Sequence, residues 1–130
     1  MPASGQFEDN LQPLEGYAQG AEGNILGRMS IDKVFRGDLD ATSRGEMLMA
    51  RTGTEGSAGY VAIEQVSGTL HGKRGTFILQ HYGMMAHGEN RLILEVVPDS
   101  GTGELAGLSG SMTIDIRDGK HFYGLDYSLA

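Results

Sequence analysis

The chain has no cysteine among its 130 residues, which excludes a disulfide framework, a zinc–thiolate site and a thiol nucleophile. Basic residues are also few: ten Lys and Arg stand against seventeen Asp and Glu, a formal charge of -7. That balance argues against a nucleic-acid partner, whose phosphates demand a basic face, and reads as a solubilising surface. No apolar run approaches the ~20 residues of a membrane helix, and Met1 to Asn10 lacks the basic start and apolar core of a secretory signal. The expectation is a cytoplasmic protein with no membrane partner. Prolines number three and low-complexity runs are absent, whereas glycines number 21, a composition of many turns rather than of disorder.

Motifs for the common chemistries are missing too. Gly-x-Ser-x-Gly and the P-loop do not occur, so hydrolase and NTPase readings have no support. The four histidines, His71, His81, His87 and His121, form neither His-x-His nor His-Glu-x-x-His, and three of them fall at turns. Neither a metal nor a cofactor is expected. Gly101-Thr102-Gly103-Glu104-Leu105-Ala106 fits the dinucleotide fingerprint in spacing. It fails in context, because the fingerprint needs a helix to follow and here two more glycines and a strand pattern follow.

What is present is alternation. Met112, Ile114 and Ile116 alternate with Ser111, Thr113, Asp115 and Arg117, the period of a strand with one wet and one buried face. Asp118-Gly119 is a strong hairpin signal joining it to Lys120 to Leu129. Earlier segments follow the same rule: Gln6 to Leu14, Ile25 to Phe35, Leu39 to Arg51, Tyr60 to Leu70, Thr76 to Ala86 and Arg91 to Val97, separated by loops rich in glycine and polar residues. About eight strands at hairpin spacing, with no helical period and no fixed repeat, predict a single all-β domain, a sandwich or a closed antiparallel barrel. At this length it buries about two thirds of its unfolded surface.

The stretch Thr102-Gly103-Glu104-Leu105-Ala106-Gly107-Leu108-Ser109-Gly110 ahead of a strand resembles the corner of the allene oxide cyclase and dirigent proteins. A closer resemblance is to the bacterial domain-of-unknown-function family DUF3224, assigned to the same barrel type. It runs through Tyr60 to Leu70, Gly75 to His81, Val97 to Gly110 and Asp118 to Tyr127. The resemblance implies an allene oxide cyclase-like closed barrel of about eight strands, and brings no known reaction.

An eight-stranded barrel has room inside for side chains or one small ligand, so polar residues on apolar strands are the candidates for chemistry. Glu64 shares its parity with Tyr60, Ala62 and Val66; His81 shares its own with Phe77 and Leu79. If both faces point inward, a carboxylate and an imidazole meet in one cavity, with burial expected to raise the Glu64 pKa and suit it to proton transfer. Glu64 and His81 are therefore the candidate catalytic pair. Tyr60, Gln80, Tyr82, Glu95, Tyr123 and Tyr127 are candidate ligand-binding residues, with Tyr127 or Gln80 placed to hold a substrate oxygen, and Met84-Met85 beside Tyr82 mark a candidate cavity mouth. The bland alternative makes Glu64 and His81 satisfied core residues.

The expected function is binding of a small, largely apolar molecule; an acid/base isomerase or cyclase on the same residues is the alternative, and a filled barrel acting through its surface a third. Tyr60 to Ile63, Phe77 to Leu79 and Leu92 to Leu94 are apolar on both parities, which asks for cover outside the barrel and predicts a homo-oligomer, a dimer or trimer.

Overall fold

A computed structural model describes all residues 1–130. The chain forms eight strands: β1 (Pro2–Leu14), β2 (Ile25–Gly37), β3 (Leu39–Arg51), β4 (Ala58–Leu70), β5 (Lys73–Ala86), β6 (Glu89–Val96), β7 (Leu108–Arg117) and β8 (Lys120–Leu129). Each pairs antiparallel with its sequence neighbour, and β8 returns to pair with β1, closing the barrel in simple up-and-down order. Closure leaves no long free edge. The thinnest seam is β6 with β7, where Glu95 opposite Ser111 is the single paired position.

Closure also explains the largest departure from the sequence pattern. β1 begins at Pro2, not Gln6, and Pro2 to Phe7 pairs with β8. Pro2-Ala3-Ser4-Gly5 carries little alternation of its own; its strand conformation is imposed by the partners on either side. β4 likewise starts at Ala58, two residues before Tyr60, in register with Met85 on β5.

Because side chains alternate, each strand sends every second residue inward. At one end the interior is solid: Phe35, Leu39, Leu70, Phe77, Leu105, Leu108 and Leu125 are almost wholly buried. The glycine corner supplies part of this plug. It contains a short 3-10 turn, Gly103–Leu105, with Leu105 buried, and the strand that follows starts at Leu108, three residues earlier than alternation suggests. Tyr123 seals the same end: its hydroxyl accepts from the Leu39 amide at 2.9 Å and donates between the carbonyls of Arg36 and Leu39. Towards the other end the inward residues become Leu11, Met47, Met49, Tyr60, Gly83, Met85, Leu92 and Ile116, and there the barrel is open. No helix is long and apolar enough to cross a membrane.

Candidate functional site

The open half holds a cavity of about 490 Å³. Methionine, leucine and isoleucine supply nine of its 20 lining residues, and Asp9, Asn90 and His121 stand among the rest. Lys33, His81 and Tyr60 are the polar residues deepest in it, and beneath them lies Glu64, fully buried.

This polar layer is a single hydrogen-bonded chain. Glu64 Oε1 accepts from Ser43 Oγ at 2.7 Å, and Oε2 accepts from Lys33 Nζ at 2.9 Å and from His81 Nε2 at 2.5 Å. Tyr60 Oη lies 3.3 Å from His81 Nδ1. The Lys33 ammonium also sits 4.8 Å from the centre of the Phe7 ring, a favourable site for a cation. No buried side-chain nitrogen or oxygen lacks a partner.

Strand register assembles these groups. Lys33 pairs with Ser43 across β2 and β3, and Gly45 pairs with Glu64 across β3 and β4. A Cβ at Gly45 would lie 2.6 Å from the Glu64 Cα, so glycine there lets the carboxylate strand approach. Tyr60 is cross-strand from Gly83. A Cβ at Gly83 would lie 2.2 Å from the Tyr60 ring, so the missing side chain gives the ring a place to lie, tilted against His81 with centroids 6.0 Å apart.

The protonation states follow from the partners. Burial pushes the Glu64 carboxyl up, but the His81 hydrogen bond and the Lys33 charge more than offset it and hold the pKa at about 2. This corrects the expectation from sequence: Glu64 is ionised and acts as an acceptor only, not as a raised-pKa proton donor. His81 Nε2 must then carry the hydrogen it gives to Glu64, which in a neutral imidazole leaves the Nδ1 lone pair facing Tyr60. Burial, reinforced by the Glu64 charge, raises the Tyr60 pKa, so its hydroxyl keeps its proton and donates it to Nδ1.

Of the residues singled out by sequence, Glu64, His81 and Tyr60 meet here. The others do not. Gln80 and Tyr82 flank His81 and so point to the outer face, as does Glu95 between Leu94 and Val96; all three are exposed. Tyr123 and Tyr127 face inward but at the plugged end, where Tyr127 Oη bonds His71 Nδ1 at 2.5 Å; burial raises both phenol pKa values. The oxygen-holding role expected of Tyr127 or Gln80 has no geometric basis, and Met84-Met85 do line the mouth. Lys33 and Ser43 are not among the residues singled out, although Lys33 stands on the apolar parity between Ile31 and Phe35, the one legible sign of its burial. No group of three His, Asp or Glu side chains converges as metal ligands would.

Fold and site together define a closed antiparallel barrel whose open half holds an apolar cavity over buried Lys33, Glu64 and His81 and half-buried Tyr60. The family model for DUF3224, described as a protein of unknown function, matches residues 3–127, and the chain belongs to that family. It is similar to a solved structure from Shewanella oneidensis MR-1, described as a protein with unknown function from the DUF3224 family, at 54% identity and a TM-score of 0.99. The match covers 100% of this chain and 97% of that one. No curated protein matches.

Proposed function

We propose that the protein binds a small, largely apolar molecule in the open half of the barrel, its polar end resting on Lys33, Tyr60 and His81. The observation that carries this reading is the contrast between the two halves of one interior: the plugged end is packed solid, while about 490 Å³ lies open between methionines and leucines. Methionine-lined walls adapt to varied apolar shapes, and a few polar groups at the base of such a cavity fix orientation. Lys33 adds a specific preference. Its ammonium has one acceptor within the protein, Glu64, which leaves donors for an oxygen of the ligand.

The test is a titration with Prodan, an uncharged naphthyl ketone whose emission moves to the blue in apolar surroundings. Saturable blue-shifted emission in the parent, weakened at least tenfold in affinity by Met47→Glu, supports the reading. Emission that never saturates, or that is indifferent to a charge placed among the cavity residues, refutes it.

A further inference from the structure

We infer that the cavity floor is a proton-transfer site for an apolar ketone bearing an acidic hydrogen on the carbon next to its carbonyl, with Tyr60 and His81 as the catalytic relay and Lys33 as the oxygen-binding cation. The inference rests on the binding reading and extends it from holding a ligand to reacting with it. Three features of the geometry carry it.

First, the chain Glu64–His81–Tyr60 has the polarity of a base relay. A buried carboxylate fixes one imidazole nitrogen as donor, so the other is the acceptor, and that acceptor faces a hydroxyl on the cavity wall. Secondly, the cation and the relay are held on one atom: Lys33 Nζ and His81 Nε2 both bond Glu64 Oε2, so a molecule seated on the floor meets both at once. Thirdly, Gly83 leaves the space that holds the Tyr60 ring beside His81.

The step balances on these groups. The ketone oxygen accepts a hydrogen bond from Lys33. The C–H bond beside the carbonyl breaks, its electron pair becoming the carbon–carbon π bond of the enolate, and its proton passes to Tyr60 Oη as the Tyr60 proton passes to His81 Nδ1. The imidazolium is stabilised by Glu64 and the enolate oxygen by Lys33, so no net charge is created in the site. Return of the proton to the same carbon exchanges it with solvent; return to another carbon of a conjugated ketone moves the double bond. Glu64 touches no substrate and is a positioning residue.

The experiment is deuterium incorporation into β-tetralone in D₂O, followed by NMR, with binding measured separately by displacement of Prodan. The parent is expected to exchange the bound ketone at least ~100-fold faster per site than free imidazole at equal concentration. Read at saturating β-tetralone, so that any loss of affinity is separated from loss of rate, Tyr60→Phe should lose that acceleration, as should His81→Gln. Glu64→Asp should retain binding while changing the pH at which exchange is half-maximal, a readout that a merely structural carboxylate would not move. Bound ketone exchanging no faster than free ketone, or Tyr60→Phe exchanging like the parent, overturns the relay while leaving the binding reading intact. Failure of β-tetralone to displace Prodan overturns the ketone assignment, and failure of Prodan itself to bind overturns both.

A second inference comes from the outer wall. We propose that a second copy of this chain covers the outer face of β3 to β6 about a twofold axis. Leu48, Val61, Tyr82 and Ile93 form one cross-strand row there, with Ile63 and Met84 beside it. Leu48 is 58% exposed and Ile63 54%. With Leu26 these side chains present on the order of 600 Å² of exposed surface, close to the ~800 Å² that each partner gives to a standard interface. Charge then selects the arrangement. Arg91 and Glu95 lie two residues either side of Ile93 on the outer face, and neither forms an ion pair within its own chain. A twofold axis along the row sets Arg91 of each copy opposite Glu95 of the other, a self-complementary pairing.

Light scattering on a sizing column at tens of micromolar should give twice the chain mass of 13.9 kDa. Arg91→Glu and Glu95→Arg should each shift the species towards monomer, and the two together should restore the dimer. A monomeric parent, a trimer, or a double variant no better associated than the single ones overturns the proposal.

Discussion

Replacing Lys33 by methionine should cost the fold about 3 kcal/mol at pH 7, and the reason is Glu64 rather than the lysine. The ammonium lies 2.9 Å from Glu64 Oε2 with both side chains buried. At an effective dielectric constant near 20 that contact is on the order of 6 kcal/mol of attraction. Part of it disappears harmlessly with the lysine, since methionine has no charge to desolvate. The rest is lost, because Glu64 keeps Ser43 and His81 but no full counter-charge, the circumstance in which breaking a buried pair costs roughly 3 to 5 kcal/mol. Urea unfolding followed by circular dichroism measures it directly, and a loss of this size lowers Tm by roughly 10 °C.

The same variant should respond to pH in a diagnostic way. An uncompensated buried carboxylate draws a proton into the folded state, onto itself or onto His81, so the folded state binds more protons than the unfolded one. Stability of Lys33→Met should therefore rise as pH falls from 8 to 6. Glu64→Gln should destabilise the parent but stabilise Lys33→Met, because in the second background it removes the stranded charge. A Lys33→Met protein as stable as the parent at pH 7, or a Glu64→Gln effect of the same sign in both backgrounds, refutes the account of the floor as one charge-compensated unit.

Other outcomes follow from the same geometry. Acid should erode the parent in a defined window: the Glu64 pKa falls from 4.5 to about 2 on folding, so this group's contribution, about 3 kcal/mol, is present above pH 4.5 and is lost as pH falls through 2, as urea midpoints at pH 5 and pH 2 would show. Gly83→Ala should displace the Tyr60 ring, whose nearest atom would lie 2.2 Å from the new methyl; it should lower stability by about 1 to 3 kcal/mol and slow β-tetralone exchange more than it weakens Prodan binding. Tyr123→Phe strands the Leu39 amide at the plugged end and should cost about 1 to 3 kcal/mol without changing Prodan affinity.

Much of this arrangement is written in local alternation. The strands with one wet face, such as Ser111 to Arg117, need no partner to be read, whereas the inward parity of Glu64 and His81 is set by closure of the barrel, because Tyr60 to Ile63 and Phe77 to Leu79 are apolar on both faces. Once His81 is known to face inward, Gln80 and Tyr82 must face outward, because neighbours along a strand point to opposite sides. Depth along the barrel is another matter. Tyr60 and Tyr127 both face inward, yet one joins the polar floor and the other the plug, and what separates them is the register of β4 against β5 and of β8 against β7. The sign of the Glu64 shift is equally non-local. Burial alone raises a carboxyl, and the groups that reverse this, the His81 hydrogen bond and the Lys33 ammonium, come from residues 17 and 31 positions away. A lysine on the apolar parity of its strand is the mark that alternation offers, and its partner cannot be read from alternation at all.

The most direct test of the cavity as a binding site is the methionine methyl spectrum of the protein, carbon-13 labelled at those methyls, as β-tetralone is added. Met47, Met49 and Met85 line the cavity, whereas Met84 lies on the outer face at its mouth and Met112 is packed in the core. The account predicts saturable shifts at the three cavity methionines with Met112 and Met1 unmoved. Shifts that never saturate, or that appear at Met112 and not at the cavity residues, would contradict it.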